Sequence, residues 1–172
     1  MHLSNIFSST LLVPALASLA FAQSFNLYAY GTGIGGLPVH YADGNAVVNK
    51  GAVNAVTDAV VSFTKDNARL IGNPDSSGAA GSFSNVLLYV PGSSSSSHNV
   101  GFTTDQTSTA DRVTDKFVWY GATLLIKSDD GQLTSSFYLK ESDAASGQYE
   151  LLWGVSGDEY ISVGLRSVAP AT

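Results

Sequence analysis

Two Asp-Gly pairs, Asp43-Gly44 and Asp130-Gly131, each stand beside short runs rich in Val, Leu, Tyr and Thr. Asp-Gly supplies the left-handed backbone of a two-residue hairpin turn, so each pair predicts antiparallel strands on both sides. The rest of the chain reads in the same period. Apolar and aromatic runs at 25–30, 39–41, 46–48, 59–64, 68–71, 86–90, 100–103, 117–120, 123–127, 134–140, 149–155 and 160–168 make twelve segments. Gly, Pro, Asn or Asp ends most of them. The nearest approach to an amphipathic helix is 51–60, where Val, Thr and Asn are weak helix formers. The Ser-, Gly- and Thr-rich stretches 75–84, 93–97 and 103–109 read as loops, because they offer little apolar area to bury.

Twelve short strands predict an all-β domain that is closed or two-layered, since closure removes edges that would otherwise pair between molecules. A loose internal similarity relates residues 26–31, 86–91 and 136–139. Four strands in each of three units predicts a single β-trefoil-like domain over residues 23–172. The offsets are unequal, 61 residues from Tyr28 to Tyr89 and 49 from Tyr89 to Tyr138, so a β-sandwich or jelly roll is the alternative.

Residues 1–22 read as a signal peptide rather than as part of that domain. A polar head without Lys or Arg precedes an apolar stretch from Ile6 to Leu19, and Ala20-Phe21-Ala22 places small residues where signal peptidase needs them. The stretch is shorter than a membrane span and is interrupted by Pro14 and several Ser, so a secreted protein starting at Gln23 is expected. No later segment reads as a membrane span or lipid-anchor signal, and no Asn-x-Ser/Thr sequon occurs.

Composition narrows the partners. The chain of 172 residues has fourteen acidic and eight basic side chains, a net charge of −6. A nucleic-acid binder needs a basic surface to neutralise phosphates, so that class is set aside. Without cysteine there is no disulfide framework, no thiolate metal site and no Cys nucleophile. A secreted chain of this kind depends on packing and hydrogen bonds alone.

The opening of the mature chain, Phe25 to Gly31 and then Gly36 to Gly44, is followed by the Ser run and His98-Asn99-Val100-Gly101-Phe102, and the chain closes on Leu165-Arg166-Ser167-Val168-Ala169-Pro170. In these features it resembles small secreted, cysteine-free proteins of filamentous fungi whose function is uncharacterised. It is more distantly similar to phialide-type fungal cell-wall proteins, although those usually carry cysteines. The resemblance implies a secreted fungal protein and carries no catalytic residue with it.

Few residues read as chemistry. Gly31-Thr32-Gly33-Ile34-Gly35-Gly36 matches the spacing of a dinucleotide-binding turn, but Leu37-Pro38 and another strand follow where that fold needs a helix. The stretch reads as a connection between strands, and no cofactor is expected. His40 and His98 are the only histidines after residue 22, too few for a three-His zinc site, and no Gly-x-Ser-x-Gly elbow accompanies them. Asp129-Asp130 and Asp158-Glu159 are paired acids beside Gly, where solvated turn acids are common. A glycoside hydrolase would need two carboxylates facing each other across a cleft.

The aromatic residues are the strongest lead. Tyr30, Tyr41, Trp119, Tyr120 and Trp153 form the candidate ligand-binding set. Side chains alternate along a strand, so Tyr28 and Tyr30 share one face, and Trp119 and Tyr120 cannot both enter one core. Rings beside Asn, Asp and Gln suit the C–H faces and hydroxyls of sugars, and also protein partners. The expectation is a non-catalytic protein of the fungal wall or extracellular surface that binds a polysaccharide or glycan. The alternatives are a secreted hydrolase and an effector or inhibitor with a protein partner.

Overall fold

Turn chemistry sets the first Asp-Gly hairpin, whereas Asp130-Gly131 lies within the longer loop 128–132, where Gly131 but not Asp130 takes a positive φ. Asp43 and Gly44 both take positive φ, 48° and 91°, which is the type I′ pattern that matches the twist of the flanking strands. The computed structural model describes residues 23–51, 53–75, 83–143 and 145–171. The signal-peptide reading of residues 1–22, and residues 76–82 of the first Ser/Gly stretch, lie outside the described residues.

The described residues contain fifteen strands and no helix. They are β1 Phe25–Asn26, β2 Tyr28–Gly31, β3 Ile34–Ala42, β4 Asn45–Val48, β5 Asp58–Asp66, β6 Arg69–Pro74, β7 Val86–Pro91 and β8 Gly101–Thr103. The second half adds β9 Arg112–Val113, β10 Phe117–Tyr120, β11 Thr123–Lys127, β12 Leu133–Thr134, β13 Phe137–Glu141, β14 Tyr149–Trp153 and β15 Ile161–Arg166. Three strands exceed the twelve expected. The run 25–30 divides at Leu27 into β1 and β2, the run 134–140 divides into β12 and β13, and β9 is a two-residue strand with no apolar run to announce it.

Ten strands close on themselves in the order β15-β13-β14-β4-β8-β7-β6-β5-β3-β2, with β2 pairing back onto β15. All pairings are antiparallel. The β3–β4 hairpin also pairs across the ring, and β11 and β10 continue the sheet from β15 with Phe117, Leu124 and Ile126 in the main core. Alternation then sorts the side chains. On β5, Ala59, Val61 and Phe63 point inward, and on β15 Val163 and Leu165 do the same. These join Phe137, Leu139, Leu151 and Leu124 in one main core that the whole ring surrounds. Burying a large apolar side chain fully is worth about 1.5–3 kcal/mol, so this core is the chief stabiliser of a cysteine-free chain.

One segment leaves the ring. After β4 the chain crosses the outer face of β3 and β4 before β5 begins. Val53 packs there against Ala42 and Val47 in a second, smaller cluster. We call residues 49–51 and 53–57 the strap.

Candidate functional site

The strap is held by side chains from the sheet beneath it. Asp58 receives the Val53 N–H on Oδ2 at 3.0 Å, and His40 Nδ1 donates to its Oδ1 at 2.8 Å. Asp43 receives the N–H groups of Val56 and Thr57 at 3.0 and 2.8 Å. Gln148, buried, receives the Asn54 N–H at 2.9 Å. His40 is 5% exposed, and its Nε2 has no partner among the described residues.

Beside the strap lies a cleft of about 170 Å³. Asn45, Asn54, Asn99, Gln148 and Glu150 line it, over the backbone of β3 and β4. The register explains the convergence. Glu150 on β14 stands opposite Val47 on β4, Asn45 on β4 stands opposite Gly101 on β8, and Asn99 just before β8 bridges Leu152, so β4, β14 and the segment leading into β8 present polar side chains to one side of the strap. An amide offers both donors and an acceptor, and a carboxylate adds strong acceptors, a set that matches vicinal hydroxyls.

Asn99 also lines a groove of about 350 Å³ that runs past Tyr89, the Ser94–Ser97 loop and Arg112. Tyr89 packs flat beside Gly101. A Cβ there would lie 2.8 Å from the Tyr89 hydroxyl oxygen, so only glycine leaves room for the ring. Arg112 is committed elsewhere: Nη1 donates to Thr103 Oγ1 and Nη2 pairs with Asp105 Oδ2, both at 3.0 Å.

The five rings of the candidate set do not meet in one place. Tyr41 points inward and stacks on Phe83 at 4.1 Å, with Phe102 at 5.3 Å. Trp119 also faces the core, edge-on to Phe25 at 5.1 Å, with Lys65 Nζ 3.9 Å above its ring. Trp153 is half-buried against Phe137 at 4.8 Å and lines a groove of about 320 Å³ on the other flank of the serine loop. Tyr30 and Tyr120 lie on a different outer face, formed by β2, β15, β11 and β10. Tyr120 is 76% exposed.

The remaining sequence candidates are turn and surface groups. His98 is exposed and its Nδ1 donates to the Trp153 carbonyl at 3.1 Å. Asp129 pairs with Lys116. The Ser128 hydroxyl, and then the Gln132 N–H, hold the Asp130 carboxyl below its ordinary value. Residues 31–36 form a strand end, a tight turn and the start of β3, which is the strand connection read from the sequence.

Asn45, Asn54, Asn99, Gln148 and Glu150 were absent from the sequence-derived set. No local pattern marks them, because they come from segments up to 105 residues apart that only the ring topology assembles. Compared with family models, curated proteins and solved structures, the chain has no match.

Proposed function

We propose that this is a secreted, non-catalytic protein of the fungal cell wall or extracellular surface that binds a neutral polysaccharide in the cleft beside the strap. The observation that carries the reading is the convergence of Asn45, Asn54, Asn99, Gln148 and Glu150 on one open, polar concavity. The Tyr89 groove continues it at Asn99, which gives an extended ligand a second stretch of wall. Ligand sites are concave and orient their ligand with a few placed polar groups.

A hydrolase is the rival with an observation behind it, since Asp43 and Glu150 both line the cleft. A glycosidase pair needs both carboxyls turned to the scissile bond. Both Asp43 oxygens are already taken by strap N–H groups, which favours binding over cleavage. A protein partner is the third reading, and Val56 at the crest of the strap, 97% exposed, is its best support.

The trefoil-like architecture belongs to the same proposal. Closure of the sheet removes its edges but does not by itself distinguish a trefoil from a sandwich, and the unequal spacing of the three similar segments counts against the trefoil.

The test is a glycan array with the secreted protein, followed by calorimetry on the best neutral ligand. Asn99→Ala and Glu150→Gln should each weaken binding by about tenfold, the scale of one buried hydrogen bond. Failure of every neutral glycan to bind removes this reading. Release of reducing ends from a bound polysaccharide installs the hydrolase in its place. Intact mass of the secreted chain should begin at Gln23.

A further inference from the structure

The outer face of β2, β15, β11 and β10 carries a second row that the cleft does not use. Tyr120 stands opposite Thr123, Thr123 opposite Arg166, and Arg166 opposite Tyr28. Residues paired across antiparallel strands project to the same side. The intervening residues Leu124, Leu165 and Ala29 are fully buried, so the row faces outward. Strands lie about 4.8 Å apart, which makes the row about 14 Å long from Tyr28 to Tyr120.

Tyr30 flanks this row two residues along β2. Its hydroxyl donates to the Val168 carbonyl at 2.8 Å, and the Arg166 guanidinium lies 5.4 Å from its ring centre. Its strand neighbours Gly35 and Gly164 add no side chain beside it, and the ring lies over Gly36. Arg166 has no carboxylate partner among the described residues. The Arg166 side chain is exposed, so its guanidinium is open to an acidic ligand. Asp75 closes the far end near Tyr28, with its Oδ2 receiving the Asn26 amide at 2.9 Å.

We propose that this row is a second, independent glycan site, selective for sugars that carry a carboxylate. The uronate carboxylate takes the fork of Arg166, which presents paired N–H donors to two oxygens. The Thr123 and Tyr28 hydroxyls flank it in register, and the exposed Tyr120 ring carries the C–H face of the next sugar. Asp75 at the Tyr28 end repels a second carboxylate there and so orients the chain. The site stands apart from the strap cleft, with β13 between β14 and β15 in the ring.

The experiment is calorimetry of the secreted protein with an oligogalacturonide, with a neutral oligoglucan and with poly-glutamate. The oligogalacturonide should bind, and its affinity should fall as salt rises. Arg166→Gln should lower that affinity about tenfold or more, the loss of a charge-assisted pair. Arg166→Lys should recover only part of it, because an ammonium lacks the planar fork. Tyr120→Ala, which removes a ring that is 76% exposed, should lower it about fivefold or more, at the low end of base-stacking energies. Asn99→Ala in the strap cleft should leave oligogalacturonide binding unchanged, so the two sites fail separately. Equal binding of poly-glutamate through Arg166 overturns the proposal in favour of a plain anion site. An oligogalacturonide affinity that ignores Arg166→Gln overturns it outright.

Discussion

The two outer faces rest on one core yet differ in what covers them. On β3 and β4 the strap lies across the sheet and raises a wall, so polar side chains from separate segments converge on one concavity beside it. On β2, β15, β11 and β10 the side chains stand in a row, and the segment after β15 reaches that face at Tyr30, whose hydroxyl donates to the Val168 carbonyl. The contrast separates two ways of recognising a polar ligand. Concavity lets several weak, directional groups act together, whereas a flat face must rely on ring stacking and charge. The strap is therefore the feature that makes one face a cleft, and its three clasps, Asp43, Asp58 and Gln148, are as much part of that site as the lining amides.

The largest effect comes from the element between the faces. Phe137 on β13 is fully buried, and β13 pairs with β14 on the cleft side and β15 on the flat side. Phe137→Ala should cost about 3–5 kcal/mol of stability, read by chemical denaturation. Both faces should lose ligand at the same denaturant concentration, because they share the core. Separate transitions would break the comparison by showing two independently folding halves.

Asp58→Ala should come next, at about 2–3 kcal/mol, because it removes two hydrogen bonds to a carboxylate and leaves His40 without a partner on either nitrogen. Hydrogen exchange should increase at Val53 and its strap neighbours, and neutral-glycan binding should weaken. Oligogalacturonide binding should stay as it was. A loss on both faces would mean that the strap supports the whole ring rather than one side of it.

Periodicity predicted the faces of strands well and their partners poorly. The Asp43-Gly44 turn and the inward set Ala59, Val61 and Phe63 are written in local residue types. Leu27 is not: the chain changes partner there, from β5 for β1 to β3 and β15 for β2, while its side-chain alternation runs on unbroken. Alternation required one of Trp119 and Tyr120 to face outward. Which one was settled by register, since Trp119 pairs with the buried Leu124 and Tyr120 with Thr123 at the hairpin end. The cleft was less legible still. Asn45, Asn99 and Glu150 are ordinary loop and edge residues in sequence, and only the closing of ten strands brings them to one side of the strap.

A smaller effect should be confined to the flat face. Gly36 has a φ of 87°, and a Cβ there would lie 2.8 Å from Tyr30 ring atoms. Gly36→Ala should cost about 1–2 kcal/mol through backbone strain and displacement of that ring. The Tyr30 hydroxyl would then leave the Val168 carbonyl, and Arg166 would lose its aromatic support. Oligogalacturonide affinity should fall while neutral-glycan affinity in the cleft holds. Melting curves together with both binding assays on this variant decide the matter. An unchanged Arg166-dependent affinity would show that Tyr30 packing does not position the guanidinium.

The smallest effect is a titration on the flat face. Burial first, and then the Asp75 carboxylate and Tyr30, hold the Tyr28 phenol above its ordinary value of 10.0. Each of these disfavours the phenolate in the folded chain. In the unfolded chain Tyr28 ionises near 10.0, so above that pH the unfolded state holds fewer protons than the folded one. The contribution is therefore complete below pH 10.0 and is lost as pH rises through the folded titration point. Ultraviolet difference titration of wild type against Tyr28→Phe isolates this phenol from the other tyrosines. Asp75→Asn should move its midpoint downward, but only part of the way to 10.0, because burial remains the first cause. A full return to the ordinary value would mean that charge rather than burial governs the Tyr28 end of the row, and Asp75 would then be the group that orients an acidic chain along it. No movement would remove Asp75 from that role and leave Arg166 alone to set direction.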